Sequence, residues 1–222
     1  MVLDMIEAVL FDLDGVLIET ELQTFKFYQS YLKDHGIELK DADFIYKAGR
    51  KSVDFWKDVL TEEQQKTINT SEITRLKREK FNTAPDQFIG RVAGGVELLE
   101  LLQRHKYKMA LASQNERRMI ETAVNWLNVK KYFSEILSIE EIKNLKPSPE
   151  IYLLAAKRLG VKPNNCIVIE DSKDGVNAAK NAGMACIGLQ HSYTPIDALS
   201  RADIVVNTLN DVTIDLVSNF KK

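Results

Sequence analysis

The sequence predicts an α/β protein, a doubly wound parallel sheet with a helical domain inserted after its first strand. Three observations lead there. Val9-Leu10-Phe11, preceded by Ala8, is apolar on both faces, as in a strand covered by helices on each side. From Gly94 onward, short apolar runs alternate with amphipathic segments, the pattern of repeated strand–helix crossovers. Between these regions, residues 18–88 are charged, amphipathic and without a convincing buried strand. The expected division is a core of residues 1–17 and 89–222 and a helical insert of 18–88, long enough to be a small domain.

The first strand runs into Asp12-Leu13-Asp14-Gly15. Taken alone, that is as compatible with a turn of self-bonding aspartates as with a site. Ligands of open parallel sheets lie beyond the carboxyl ends of the strands, however. In extended backbone, residues two apart point the same way. A bend at Gly15 would turn the Asp14 carbonyl towards the same spot. Two carboxylates and a carbonyl make a hard-oxygen cation site.

In the insert, Leu22, Phe25, Tyr28 and Leu32 recur at helical spacing until Gly36. Thr61-Glu62-Glu63-Gln64 fits a capping box, and the helical stretch 71–81 is expected to end at Pro85. The second half predicts a helix over 96–102, a strand over 108–112 and a helix capped by Asn115 that runs to about Leu127. Ile136-Leu137 lies in a short strand. Ser148 then caps a helix with Pro149 at its first position and Gly160 at its end. A strand over 166–169, an alanine-rich helix ending at Gly183, and strands over 185–189 and 204–206 complete the pattern.

Composition narrows the functional classes. With 30 basic and 32 acidic residues, the net charge of −2 gives no electrostatic case for nucleic acid or an anionic membrane. The two cysteines, Cys166 and Cys186, sit in apolar runs and read as buried free thiols. No stretch has the form of a signal peptide or a membrane span, so a cytoplasmic protein is expected; it is also expected to be a monomer.

Three further polar signals stand after apolar runs or before a capped helix. Ser113 follows Ala110-Leu111-Ala112, Lys146-Pro147 precedes the capped helix, and Glu170-Asp171-Ser172 follows Cys166–Ile169. Each has a plain alternative: a helix cap, a solvated lysine, acids favoured at a helix N-terminus. If the strands are parallel neighbours, all of them collect at one sheet edge. There a hydroxyl, the backbone N–H groups near Gln114 and Asn115 and an ammonium can hold phosphate oxygens. Acids at 12, 14, 170 and 171 can hold Mg²⁺, which keeps waters or phosphate oxygens among its ligands.

In this joint order, Asp12-Leu13-Asp14-Gly15-Val16-Leu17, Ser113, Lys146-Pro147-Ser148-Pro149-Glu150-Ile151-Tyr152 and Ile169-Glu170-Asp171-Ser172 with Gly175 and Ala178-Ala179 resemble the four motifs of the haloacid dehalogenase superfamily. The resemblance is narrower to its sugar-phosphate phosphatases and beta-phosphoglucomutases, and it covers nearly the whole chain. It implies a Rossmann-like core with an inserted cap and a Mg²⁺-dependent phosphatase acting on a small phosphate ester. Asp12 would be the nucleophile and Asp14 the general acid, then base. Ser113, Gln114 and Lys146 would bind the phosphoryl group, and Asp12, Asp14, Glu170 and Asp171 would serve the metal. Arg50 and Lys51, in Gly49-Arg50-Lys51-Ser52, would contact substrate from the cap.

The resemblance is not complete. Gly175 stands where many relatives carry a second aspartate, and the expectation is that the Glu170-Asp171 pair supplies that charge. Thr24 replaces the hinge histidine of the mutases, which argues for water as the acceptor. A beta-phosphoglucomutase-like isomerase is the alternative, and a phospho-accepting signalling domain a more distant one. Asp14 argues against the latter, because it serves turnover and not storage of a phosphoryl group.

Overall fold

The computed structural model describes residues 5–46, 52–195 and 197–220. They form two compact units, one of residues 1–18 and 91–222, the other of residues 19–90. In chain order, β1 (Ala8–Phe11) leads to β2 (Ile18–Glu19), which pairs with β3 (Gly90–Arg91) as a two-stranded ribbon where the chain passes between the units. Helices α1 (Glu21–Asp34), α2 (Ser52–Val59), α3 (Glu62–Thr67), α4 (Thr70–Thr83) and α5 (Pro85–Phe88) lie between those two crossings.

The helical unit is organised by aromatic packing. Phe25, Tyr28, Leu32, Phe55, Trp56 and Ile73 form its core. The Tyr28 and Phe55 rings stack at 5.4 Å, and Trp56 lies 4.6 Å from Tyr28. Each such side chain contributes roughly 1.5–3 kcal/mol by leaving water. The Thr61 capping box opens α3 as expected. Two local expectations are corrected. Leu22 is exposed, the buried face of α1 being Thr24, Phe25, Tyr28 and Leu32. Pro85 does not merely end a helix; it takes the first position of α5, where its missing N–H costs nothing.

The other unit continues with α6 (Gly95–Arg104), β4 (Lys108–Ala112), α7 (Arg117–Trp126), β5 (Glu135–Leu137), α8 (Glu150–Leu159), β6 (Cys166–Glu170), α9 (Lys173–Asn181), β7 (Ala185–Leu189), β8 (Ile204–Val206) and α10 (Ile214–Ser218). Its six strands stand in the order β5-β4-β1-β6-β7-β8, and every neighbouring pair is parallel. This is a doubly wound sheet. From β1 the next neighbour in the sheet lies towards β4, and from β6 it lies towards β7, so the winding reverses between β1 and β6. That reversal is where open α/β sheets offer a crevice. Cys166 and Cys186 are buried free thiols in β6 and β7.

Register brings the strand ends level. Phe11 pairs with Leu111 on one side and Ile169 on the other, and the Asp12 N–H donates to the Ile169 carbonyl at 3.1 Å. Asp12, Ser113 and Glu170 therefore leave the same edge of the sheet. Among the described residues no helix is long and apolar enough to cross a membrane.

Candidate active site

At that edge, Lys146 joins the two strands between which the winding reverses. Its ammonium is buried, hydrogen-bonds to Asp12 Oδ1, donates to Glu170 Oε1 at 2.7 Å, and lies 4.8 Å from the centre of the Tyr152 ring. Burial works against its charge, but Asp12 and Glu170 outweigh it and hold the ammonium above the ordinary lysine value. An ammonium in so dry a place persists only because it is paired. The solvated-lysine alternative is thereby excluded.

Glu170, expected to serve the metal, has a fully buried carboxylate that is hydrogen-bonded at both oxygens. Oε1 accepts from Lys146 and from the Tyr152 hydroxyl at 2.7 Å. Oε2 accepts from the Asp171 N–H at 3.0 Å, the Ser172 N–H at 3.1 Å and the Ser172 hydroxyl at 3.0 Å. Burial alone would raise its pKa, but Lys146 and these donors hold it below the ordinary value. Glu170 is, with Asp12, a counter-charge of Lys146. A Cβ built on Gly175 would stand 1.7 Å from Glu170 Oε1 and 1.9 Å from its carboxyl carbon. The carboxylate of Glu170 thus fills the space that a side chain at 175 would take.

Asp12 and Asp171 are in the opposite electrostatic condition. Asp12 is raised to about 7: burial pushes it up, Lys146 pulls against the rise, and Glu170 and Asp14 add to it. Asp171 is raised well above its ordinary value, again by burial and then by the charges of Glu170, Asp12 and Asp14. The turn at Gly15 lies against Asp171, since a Cβ there would be 1.9 Å from Asp171 Oδ2, and φ is +70°. Among the described residues no three Asp, Glu, His or Cys side chains form a ready metal cage. Mg²⁺ needs only one or two carboxylates beside waters and phosphate oxygens, however. Two carboxylates that repel one another, Asp12 buried and Asp171 partly so, are the donor set such an ion suits.

Ser113 is buried directly after β4. Its hydroxyl accepts from the Asn115 N–H at 3.1 Å, which fixes the turn into α7. Asn115 does not cap that helix as predicted. Glu116 holds the capping position without a side-chain bond, and Glu140 accepts from the Arg117 N–H at 3.0 Å. The Asn115 side chain turns to the first strand end instead, where its amide donates to Asp14 Oδ2 at 2.5 Å. Likewise Pro149, not Ser148, occupies the capping position of α8. The Gln114 Nε2 is buried and has no hydrogen-bond partner among the described residues. Arg50 and Lys51 lie outside the described residues.

Sequence reasoning missed Asn115 as a partner of Asp14, Tyr152 and Ser172 as partners of Glu170, and His191. The His191 ring reaches the Gly15 carbonyl at 2.7 Å and lies 3.9 Å from Asp171 Oδ2. The available signal was positional, since His191 follows the end of β7 by two residues and so leaves the same sheet edge.

The family model for haloacid dehalogenase-like hydrolases matches residues 9–189. A phosphorylated carbohydrates phosphatase from Thermotoga maritima is 32% identical over 203 residues, covering 90% of this chain and 92% of that protein. CbbY from Rhodobacter sphaeroides, solved in complex with phosphate, superposes with a TM-score of 0.78 over 97% of this chain and all of the other, at 24% identity, a likeness of fold. A beta-phosphoglucomutase from Clostridium difficile gives a TM-score of 0.71 at 27% identity, over 97% of this chain and 96% of that one. The chain belongs to the haloacid dehalogenase-like hydrolase family.

Proposed function

We propose that this hydrolase is a Mg²⁺-dependent phosphatase of small phosphorylated metabolites, sugar or polyol phosphates, working through an aspartyl phosphate in the cytoplasm. The observation that carries the reading is the unequal placement of two aspartates. Asp12 is buried against Lys146, whereas Asp14 is half-buried and held by the Asn115 amide. Two carboxylates in different environments can take different roles.

An Asp12 oxygen attacks phosphorus while the bond to the leaving oxygen breaks, and Asp14 gives that oxygen its proton. Water then attacks the aspartyl phosphate and loses its proton to Asp14. The phosphorus–Asp12 bond breaks, which returns the carboxylate and releases phosphate. Lys146, the Ser113 hydroxyl and donors at Gln114 offset the charge of the transferring group. Asp12, the Asp14 carbonyl and Asp171 would hold Mg²⁺, which neutralises phosphate charge when bound. Residues 19–90 would act as the cap that selects the ester. The protein needs no partner macromolecule for this and is expected to work as a monomer, with no nucleic acid or membrane involved.

Relatives named as carbohydrate phosphatases support water as acceptor. So does Thr24, in place of a hinge histidine. The mutase alternative is favoured by the likeness to a beta-phosphoglucomutase. A panel of phosphorylated metabolites assayed with Mg²⁺ for free phosphate separates the two. Phosphate should appear steadily from one or more sugar phosphates, whereas conversion of beta-glucose 1-phosphate to the 6-phosphate faster than phosphate release would reverse the assignment.

A further inference from the structure

The segment after β7 is built to hold one ring in place. The His191 N–H donates to Thr194 Oγ1 at 3.3 Å and the Thr194 N–H to the His191 carbonyl at 3.1 Å. The Gln190 amide donates to the carbonyls of both His191 and Thr194 at 2.9 Å. The Gln190 N–H in turn donates to the Val206 carbonyl of β8 at 2.8 Å, so the loop is tied to the sheet. The Tyr193 ring stacks on His191, nearly parallel at 10° and 5.0 Å.

What the ring does follows from its contact. A carbonyl oxygen only accepts, so the 2.7 Å approach to Gly15 requires the proton on His191 Nε2. Gly15, four residues past the end of β1, turns the chain with positive φ and is pressed against Asp171. Its own N–H donates to the Ile18 carbonyl at 2.7 Å. Gly15 is therefore held at its N–H by Ile18 within its own turn and at its carbonyl by His191 from a distant part of the chain.

We propose that His191 is a positioning residue for catalysis, whose Nε2–H holds the Asp14–Gly15 turn at the spacing from Asp12 and Asp171 that the reaction needs. It touches no reacting atom, and its effect on rate rests on the phosphatase reading given above. A misplacement of about 1 Å at a reacting group can cost on the order of 100-fold in rate, so one such tether can matter.

Two substitutions divide the ring's features. His191→Phe keeps a flat ring to stack on Tyr193 and loses the donor. His191→Gln loses the stack and offers an amide N–H at similar reach. With p-nitrophenyl phosphate and Mg²⁺, His191→Phe should lower kcat by about 10- to 100-fold with little change in KM or melting temperature, and His191→Gln should recover most of the loss. Unchanged kcat in His191→Phe, or equal losses in both variants, would overturn the proposal and leave the phosphatase reading intact. A long-range ¹H–¹⁵N spectrum of the wild-type imidazoles provides a readout free of activity. It should show His191 protonated at Nε2 with a slowly exchanging proton, and a proton on Nδ1 alone would refute the tether. That spectrum decides the tether even if no ester is hydrolysed, an outcome that would count against the phosphatase reading, or if His191→Phe does not fold.

Discussion

The α/β unit buries Asp12, Ser113, Lys146 and Glu170 at one sheet edge, whereas the polar side chain buried in the helical unit, among the described residues, is Thr24. Its interior is otherwise aromatic and aliphatic. The two units thus use burial differently. In the first, apolar strands hold charges in a dry place where they act strongly on one another. In the second, burial supports packing, and any recognition of substrate has to come from its surface and loops. Substitutions in the α/β unit should therefore alter the chemistry itself, while those in the helical unit should alter which ester is accepted.

The largest effect expected is at Asp12. Asp12→Asn removes the proposed nucleophile and should reduce phosphate release by about 10⁴-fold or more. It should not lower stability. The folded-state pKa of about 7 lies above the ordinary 3.8, so the contribution of Asp12 to stability is present at low pH and lost as pH rises through about 7. At pH 8 without metal, the neutral amide should melt no lower than wild type. Activity within tenfold of wild type would sink the covalent route.

Asp14→Asn should cost about 10²–10⁴-fold with poor leaving groups, the usual worth of proton transfer. The loss should be milder with p-nitrophenyl phosphate, whose leaving group departs without a proton. Equal losses for both esters would remove Asp14 from the role of acid and leave its bond to Asn115 merely structural.

Glu170 and Gly175 sharpen the picture of buried charge. Gly175→Ala places a Cβ inside the space of the Glu170 carboxylate and must displace it from Lys146. Breaking a buried pair costs about 3–5 kcal/mol, and a loss of that order should appear in denaturant melts. In a Glu170→Ala background the same substitution has room, so the second change should add little. A double-mutant cycle with additive losses would show that the two positions do not share that space.

What could be read in the sequence divides along the same line. Strands β1, β4, β6 and β7 were legible because both of their faces are covered, which leaves apolar runs bounded by turn residues, whereas β8, at the sheet edge with Val205 exposed, shows only as a short apolar run. Asp12, Ser113 and Lys146 were legible because strand ends in a parallel sheet collect at one edge. The partners were harder to see. Asn115 reads as a helix cap on local grounds, and only the fold shows that Glu140 already serves the α7 terminus, leaving its amide for Asp14. Glu170 reads as one more acid near a metal, and only the fold shows its bonds to Lys146 and to Tyr152, 18 residues away. His191 reaches Gly15 across 176 residues, a separation that no local pattern encodes.

The smallest effect on the chemistry is expected at Arg50 and Lys51, and it tests the other half of the comparison. In the sequence these cations stand in the polar stretch Gly49-Arg50-Lys51-Ser52. If the helical unit selects substrate, they act on the part of the ester that distinguishes one metabolite from another and not on phosphorus. Arg50→Ala and Lys51→Ala should then raise KM or lower kcat/KM several-fold for the preferred sugar phosphate, an exposed ionic contact being worth up to about 1 kcal/mol. Hydrolysis of p-nitrophenyl phosphate, which has no sugar to hold, should scarcely change. The ratio of the two kcat/KM values is the informative quantity. A drop shared equally by both esters would place these residues in the phosphoryl chemistry and end the division of labour between the units. A drop confined to the sugar phosphate would locate substrate choice in the unit whose interior carries none of the reacting charges.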